Sequence, residues 1–399
     1  MKVLIISPMD LPVPAVKGGA VAELVESLMA RHEAHREMEL TVVSSADPAA
    51  AEKAARVYPH TQMVFMKLPA PVKAADRAVN VALKLIGQRP RDFARKLSVI
   101  SRLKKYLLAN DFDKVVFQNS GYLLDVLKNK VVAEKYRGRL YFHVHNEIYA
   151  GTNFALLRQC RLLLISRYLL KKINEYSGMN FTEQSDMVTN GFDTAAFREP
   201  FPEEEQRALR RRLGIPDDKR IVIYVGRLLP GKGVREMIEG FQRADRQDAV
   251  LLLVGSVNFG MADTSPYEAM IRQMLTALGD RAVATGFVHH DLINRYYRLA
   301  DVAVLPTIVE EGAGLAMCEA VAAGTPLITT DSGGIPEYID FDSAVLLKRG
   351  EGLADEIAEW INTMLDDGSW KERARVNAKK ACERFSEEVY YREFRTALQ

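Results

Sequence analysis

The chain has 399 residues, of which 48% are hydrophobic and 27% are charged, and its formal net charge is +2. A chain of this length has enough residues for two domains with separate cores. A net charge so close to zero creates no global field that would attract nucleic acid, so we expect no nucleic-acid partner. No stretch approaches the roughly 18 consecutive apolar residues of a membrane-spanning helix, so none is predicted.

The start of the chain and its cysteines indicate a cellular compartment. Val3–Ile6 reads as a strand, because the apolar run is too short for a signal peptide and Asp10 follows soon after it. Cys160, Cys318 and Cys382 are odd in number, far apart and without the spacing of a metal site. These features predict reduced thiols in a cytoplasmic protein.

Short apolar runs alternate with helical patterns along the whole chain. Continuous apolar strands that alternate with helices predict parallel sheets covered on both faces. The predicted strands are Val3–Ile6, Leu40–Val43, Met63–Met66, Val115–Phe117, Leu140–Val144, Leu162–Ile165, Ile221–Val225, Val250–Val254, Val283–Thr285, Val302–Leu305, Leu327–Thr329 and Val345–Leu347.

The stretch Asp193–Pro216 interrupts this alternation with prolines and an acidic run, which predicts a linker followed by a surface helix. We therefore predict an α/β fold with two doubly wound, Rossmann-like domains, 1–195 and 196–386. Ligands of such sheets bind beyond the carboxyl ends of the strands, so side chains that follow strands are the candidates for function.

Gly18 and Gly19 lie between the first strand and the first helix. The N–H groups at the start of that helix could face phosphates or the acceptor of a transfer reaction. An ordinary strand-to-helix turn explains the two glycines equally well.

The segment Val72–Tyr106 is unusually basic, with ten Lys or Arg residues against two acidic residues. An apolar stripe with helical spacing runs through its second half, formed by Phe93, Leu97, Ile100, Leu103 and Leu107. An amphipathic basic helix can lie on an anionic membrane surface. The stripe can equally be core with solvated charges around it, and the sequence leaves both interpretations open.

His143 and His145 end the strand Leu140–Val144, and the alternation of a strand points both to one face. A histidine near a strand end is most often a packed or surface residue. Two histidines at this spacing can also bind zinc, but no third ligand follows at a suitable spacing, so we predict no metal.

Arg227 and Lys232 follow the first strand of the second half on a glycine-rich turn. Two cations on such a turn can neutralise a diphosphate and stabilise a departing nucleotide. A solvated loop with incidental charge is the alternative.

Two carboxylates, Glu311 and Glu319, flank a glycine-containing turn at the start of an apolar helix, with Gly312, Ala313, Gly314 and Leu315 between them. Glycines let the backbone approach a ligand, and the first N–H groups of a helix attract anions. Carboxylates beside that anion site can accept hydrogen bonds from hydroxyls. Phosphate together with many hydroxyls describes a nucleotide sugar.

This stretch resembles the signature of the retaining GT-B glycosyltransferases of family four. In that signature two glutamates are separated by seven residues, and glycines stand one and three places after the first glutamate. Spacing to the glycines selects Glu311, not the adjacent Glu310, as the first motif residue. Further segments resemble the same family in the same order, namely Gly18–Gly19, Thr189–Asp193 with Phe197, Val225–Leu228 with Lys232–Gly233, and Asp331–Glu337.

The resemblance implies a GT-B fold, in which two domains face each other over a cleft and the last helix, 387–399, packs back on the first domain. It implies that Glu319 binds the ribose, that Glu311 contacts the donor sugar, and that His145 is a cleft histidine. Gly18, Gly19 and residues 312–315 would line the donor site. Ala313 departs from the aromatic residue that the family usually has, which would alter the shape of the donor-sugar site.

The resemblance also implies a retaining transfer from a nucleoside diphosphate sugar, without cofactor or metal, to a glycan or polyprenyl-linked acceptor in cell-envelope polysaccharide biosynthesis. An acceptor of that kind would place the protein at the inner face of the membrane. Two other classes stay open: a nucleotide-sugar epimerase on the same fold, and a non-catalytic protein that binds nucleotide sugars or glycans.

Overall fold

The computed structural model describes residues 1–85, 92–148, 152–255 and 265–399. The chain forms two compact units. Unit 1 comprises Met1–Gly191 together with Tyr390–Gln399, and unit 2 comprises Phe192–Val389. The two domains predicted from the sequence stay a prediction, since compactness alone does not show that each part folds independently.

Unit 1 contains a sheet of seven parallel strands in the order β3-β2-β1-β4-β5-β6-β7. The strands are β1 Lys2–Ile6, β2 Glu39–Ser45, β3 Gln62–Met66, β4 Lys114–Gln118, β5 Leu140–Val144, β6 Arg161–Leu164 and β7 Ser185–Met187. The last of these was not predicted, because its three residues include two polar side chains and carry no apolar run.

The helices of unit 1 are α1 Ala20–His35, α2 Pro48–Val57, α3 Ala70–Leu85, α4 Phe93–Ala109, α5 Lys130–Lys135, α6 Phe154–Leu157 and α7 Arg167–Ser177. The C-terminal helix, labelled α17 below, contributes Tyr390, Tyr391 and Phe394 to the same core as Val3 and Ile5 of β1. These aromatic side chains explain why the end of the chain belongs to unit 1.

Unit 2 contains a sheet of six parallel strands in the order β10-β9-β8-β11-β12-β13. The strands are β8 Arg220–Val225, β9 Ala249–Val254, β10 Ala282–Gly286, β11 Val302–Leu305, β12 Leu327–Thr330 and β13 Ala344–Leu347. The helices are α8 Ala195–Arg198, α9 Glu203–Leu213, α10 Val234–Ala244, α11 Pro266–Ala277, α12 Ile293–Leu299, α13 Leu315–Ala322, α14 Ile335–Tyr338, α15 Leu353–Asp366 and α16 Ser369–Arg384. The last helix, α17 Glu387–Ala397, begins in unit 2 and belongs to unit 1 from Tyr390 onwards.

Strand order reverses at one point in each sheet. In unit 2, β8 is followed by β9 and β10 on one side, whereas β11 pairs with its other edge. The loops that leave β8 and β11 therefore diverge at their carboxyl ends, where ligands of such sheets bind. The predicted candidates Arg227, Lys232 and Glu311 all lie on these two loops.

The apolar stripe of α4, for which the sequence left a core and a membrane-surface interpretation open, is divided between a buried and an exposed face. Leu103 and Leu107 are buried together with Val99, whereas Phe93 is 66% exposed and Leu97 is 57% exposed. With 3.6 residues per turn, Phe93 and Leu97 are rotated away from the face that Val99 and Leu103 define. Part of the basic segment, 86–91, lies outside the described residues.

None of the helices within the described ranges has the length and the apolar character needed to span a bilayer. The three cysteines are free and buried.

Candidate functional site

The loops after β8 and β11 pack directly on each other. Gly233 has a φ of +67°, and a Cβ atom there would lie 1.6 Å from the carbonyl oxygen of Pro306. Only glycine fits this left-handed position without displacing the neighbouring backbone. The amide of Ile308 also donates to the carbonyl of Gly231 at 3.0 Å. The two loops are thus fixed to each other by the backbone.

Lys232 and Glu311 form an ion pair between these loops. The Lys232 side chain is 30% exposed and the Glu311 side chain is 20% exposed. The hydroxyl of Thr307 lies 3.2 Å from the same carboxylate oxygen, Oε1, that Lys232 contacts. Sequence reasoning paired neither residue with Glu311, because Lys232 is 79 residues away and Thr307 lies outside the motif.

Arg227 provides a second cation on the loop after β8. Its side chain is exposed, and among the described residues its guanidinium has no ion-pair partner. Its carbonyl accepts a hydrogen bond from the Tyr224 hydroxyl at 3.1 Å. Burial raises the pKa of Tyr224, which therefore stays a neutral donor. The loop thus presents one open cation, Arg227, and one that is engaged, Lys232.

Glu319 lies on the second turn of α13, which begins after Gly314 in the left-handed conformation. The carboxylate is largely buried and accepts a hydrogen bond from His290 Nε2 at 2.8 Å. His290 starts a short 3₁₀ turn, His290–Leu292, after β10. The sequence gives no signal for His290, because its contact with Glu319 joins the turn after β10 to α13, two segments that meet only in the folded unit.

The remaining motif residues are anchored by their neighbours. The carbonyl of Glu311 accepts from the amide of Gly334 at 2.8 Å, so the loop after β12 supports the loop after β11. The adjacent Glu310 binds Arg349 at 2.6 Å instead of Lys232. Ala313 is buried. Glu311 is therefore the motif carboxylate that meets a cation of the β8 loop.

In unit 1, His143 and His145 do lie on one face, with ring centroids 4.0 Å apart. His145 Nε2 lies 2.9 Å from Gln118 Oε1, and its backbone amide donates to Asn119 Oδ1 at 2.9 Å. Burial lowers the pKa of His145 to about 3, although a hydrogen bond with Asn190 raises it somewhat. Burial and the neighbouring His145 also lower the pKa of His143.

Both imidazoles are therefore neutral near pH 7. Among the described residues, His145 Nε2 has a hydrogen-bond partner, whereas neither ring nitrogen of His143 has one. No group of three metal-ligating side chains occurs within the part of the chain that the structure describes. The predicted independence from metal stays a prediction.

Gly18 and Gly19 both have positive φ, at 68° and 109°, immediately before α1. A Cβ atom on Gly19 would lie 2.4 Å from Leu11 Cδ1, so the turn depends on glycine. Together with His145 these glycines belong to unit 1, whereas the other candidate residues belong to unit 2. Their predicted contact with phosphates or acceptor stays a prediction.

Comparison with known proteins gives three kinds of similarity. Residues 205–381, all within unit 2, match the family model "Glycosyl transferases group 1". The glycosyltransferase MJ1607 of Methanocaldococcus jannaschii, which is uncharacterized, is 29% identical over 61% of this chain and 60% of its own length. A lipopolysaccharide 1,2-N-acetylglucosaminetransferase of Salmonella typhimurium is 28% identical over 48% of this chain and 50% of its own length.

The fold has a solved counterpart over its whole length. The crystal structure of Anabaena HepE in complex with UDP superposes with a TM-score of 0.73, at 20% identity, and covers 100% of this chain and 99% of that chain. At that identity the similarity shows the fold alone.

Proposed function

We propose that this chain moves a sugar from a nucleoside diphosphate sugar to a hydroxyl of a glycan or a lipid-linked acceptor. The family match, the relatives and the fold support a GT-B glycosyltransferase. The observation that carries the proposal is the cluster on the β8 and β11 loops of unit 2. It combines two cations, Arg227 and Lys232, with the carboxylate of Glu311. Charge of both signs at one strand edge suits a ligand with phosphates and hydroxyls.

The cations would stabilise the departing diphosphate. Negative charge develops on that group as the bond to the sugar breaks, and preorganised cations there lower the barrier. The N-terminus of α13 adds its dipole. Because these groups neutralise the leaving charge, we propose that the reaction needs no metal ion.

Glu319 and Glu311 would accept hydrogen bonds from the hydroxyl groups of the donor. A carboxylate oxygen accepts hydrogen bonds from ribose hydroxyls at low cost when it is already fixed, and His290 holds Glu319 in that way. Glu311 would contact the sugar, because it lies on the same loop pair as Lys232.

We propose retention of the anomeric configuration by attack from the side that the diphosphate leaves. The sequence positions no second carboxylate as a nucleophile, in contrast to the paired acids of retaining glycosidases. The acceptor hydroxyl would attack as the diphosphate departs, and a diphosphate oxygen would take the acceptor proton. The neutral His145 would bind a sugar hydroxyl on the unit 1 side.

The acceptor side of the proposal rests on α4. Its exposed residues Phe93 and Leu97 are accompanied by the exposed cations Arg102, Lys104 and Lys105. A helix that exposes both apolar side chains and cations suits an anionic bilayer, where a lipid-linked envelope glycan would be found. The similarity to a lipopolysaccharide glycosyltransferase supports this choice of acceptor class.

The function is tested by release of nucleoside diphosphate from UDP-, GDP- and ADP-sugars with and without acceptor, in the presence of EDTA. Release that requires the acceptor and survives EDTA supports the proposal. Conversion of the nucleotide sugar without acceptor indicates an epimerase, and binding without turnover indicates a non-catalytic protein. Loss of activity that zinc or magnesium restores would contradict metal independence.

The membrane contact has its own test. Wild-type protein should sediment with vesicles in proportion to their anionic lipid, and less so at high salt, because the interaction is screened. Replacing Arg102, Lys104 and Lys105 with Gln should abolish sedimentation, whereas the matched triple change of the exposed cations Arg375, Lys379 and Lys380 on α16 should not. Arg95 is left unchanged because it contacts Asp10 at 3.4 Å. Wild-type protein that ignores anionic vesicles at low salt would contradict the contact.

A further inference from the structure

Two side chains expected at different parts of the donor are bonded to each other in this structure. Lys232 is placed at the diphosphate and Glu311 at the sugar, yet their side chains form an ion pair. Both groups are partly shielded from water, so the attraction between them exceeds that of a fully exposed pair.

The backbone around this ion pair is fixed by hydrogen bonds, so the two side chains can change partners while the loops stay in place. Gly334 holds the carbonyl of Glu311, and Ile308 holds the carbonyl of Gly231 next to Lys232. The Thr307 hydroxyl, at 3.2 Å from Glu311 Oε1, gives that carboxylate a second contact on its own loop. Glu311 can therefore release Lys232 without loss of the loop structure.

A bound diphosphate competes with Glu311 for the same ammonium group. Lys232 presents a compact charge on a flexible stem, and a diphosphate carries more negative charge than one carboxylate. Arg227 on the same loop has no ion-pair partner in the described ranges, so it is open to the incoming phosphates. The adjacent Glu310 is bonded to Arg349 and does not compete.

We infer that the Lys232–Glu311 ion pair is a donor-operated lock, an inference that rests on the proposed function. Before a donor binds, the ion pair holds both side chains. The diphosphate of the donor takes Lys232, and the released Glu311 then binds a hydroxyl of the sugar.

The lock distinguishes the donor from the product. A nucleoside diphosphate without sugar offers Glu311 no hydroxyl in exchange for Lys232, so the carboxylate continues to compete for the ammonium group. A nucleotide sugar provides partners for both side chains. The lock therefore lowers the affinity for the product relative to the donor and assists product release.

The decisive measurement is the dissociation constant of UDP, GDP and ADP for Glu311→Gln, determined by calorimetry. Removing the competing charge should tighten binding of the nucleoside diphosphate by roughly threefold to tenfold. The same substitution should slow sugar transfer, because the neutral amide no longer offers a charged acceptor to the sugar. A variant that binds product more tightly and reacts more slowly is not expected from a merely damaged site.

The matched control is Glu310→Gln, which removes the same charge one residue away from a different partner. The nucleotide affinity of this variant should stay within about twofold of wild type. A comparable increase in nucleotide affinity in both variants would mean that general repulsion between carboxylates and the diphosphate, not competition for Lys232, sets the affinity.

A second control repeats Glu311→Gln in a Lys232→Met background, where the lock has no cation. In that background Glu311→Gln should give little of the increase in affinity for nucleoside diphosphate, since the two substitutions act through one contact. Unchanged or weaker binding of nucleoside diphosphate by Glu311→Gln in wild-type background overturns the lock. That result would leave the proposed function intact if wild-type protein transfers sugar. Absence of transfer by the wild-type protein would overturn the proposed function and, with it, the role of the ion pair in product release, even if Glu311→Gln binds nucleoside diphosphate more tightly.

Discussion

The carboxyl edges of the two sheets carry different chemistry on the same topology. In unit 2, the edge holds Arg227, the Lys232–Glu311 ion pair and the Glu319–His290 pair. In unit 1, the ends of β4 and β5 bring together neutral groups, namely His145 with Gln118 and Asn119, whereas the ion pair Lys17–Asp47 lies on the loops after β1 and β2. Both sheets are parallel and reverse their strand order at one point, so the difference comes from the loops.

Under the proposed function, the loops after β8 and β11 would act through charge, and the groups around His145 would act through hydrogen bonds. Charged groups at the unit 2 edge suit phosphates and a developing negative charge. The neutral, buried groups around His145 suit sugar hydroxyls, which both donate and accept hydrogen bonds. The predictions below test this contrast from the largest expected effect to the smallest.

The largest effect should come from the cations of unit 2. Arg227→Ala or Lys232→Ala should lower turnover by roughly 10²-fold or more, because each removes a charge directed at the leaving diphosphate. Steady-state kinetics with the best donor would measure this. The control is Arg235→Ala on α10, whose side chain binds Glu239 and should not affect turnover. Near-normal rates for both site variants would remove the leaving-group role.

Glu319→Ala should mainly weaken nucleotide affinity. The ribose contact is present in both ground and transition states, so its loss raises the dissociation constant, by roughly tenfold for one charge-assisted hydrogen bond. Calorimetry with the nucleoside diphosphate measures the change, and the exposed Glu372→Ala on α16 is the control. Unchanged affinity together with a slower chemical step would contradict the ribose assignment.

On the unit 1 edge, His145→Ala should impair transfer by roughly tenfold while nucleotide binding is retained, as expected for a hydrogen bond used in the reaction. Because His145 is buried, the thermal unfolding of His145→Ala and of His145→Gln should first be compared with that of the wild-type protein, to show that the variants are folded. Wild-type activity in a folded variant would mean that His145 is a packed histidine without a role in transfer.

The neutral histidines also predict a pH dependence of stability. The pKa of His145 is lowered to about 3 and that of His143 is lowered from 6.5, so the unfolded chain binds more protons than the folded chain below about pH 6.5. Stability should fall as the pH drops from 6.5 towards 3, by up to about 1.4 kcal/mol per pH unit for His145, and His143 should contribute a change of the same sign.

Urea unfolding across this pH range measures the slope. The double variant His143→Gln, His145→Gln should show a smaller slope than the wild-type protein, because the two imidazoles no longer titrate. The slope that remains comes from other titrating groups, His32 among them, which are the same in both proteins. An equal slope in both proteins would show that the two histidines are not the groups that titrate.

Sequence reasoning located most strands and the carriers of charge, since both leave local signals. Each predicted strand is present within two residues, because buried parallel strands are continuous apolar runs. Strand β7 was missed because Ser185–Met187 has no such run. The sequence left the role of the α4 stripe open, because periodicity does not show which apolar residues a neighbouring element covers.

By itself the sequence determined the alternation of strands and helices, the glycine turns and the residues Arg227, Lys232, Glu311 and Glu319, because each depends on neighbours close in the chain. Only the tertiary structure decided that Lys232 meets Glu311 and that His290 holds Glu319. It also decided that His143 and His145 are buried and neutral. Ion pairing and desolvation depend on distances between segments far apart in sequence, and those distances are set when the sheet brings the strand ends together.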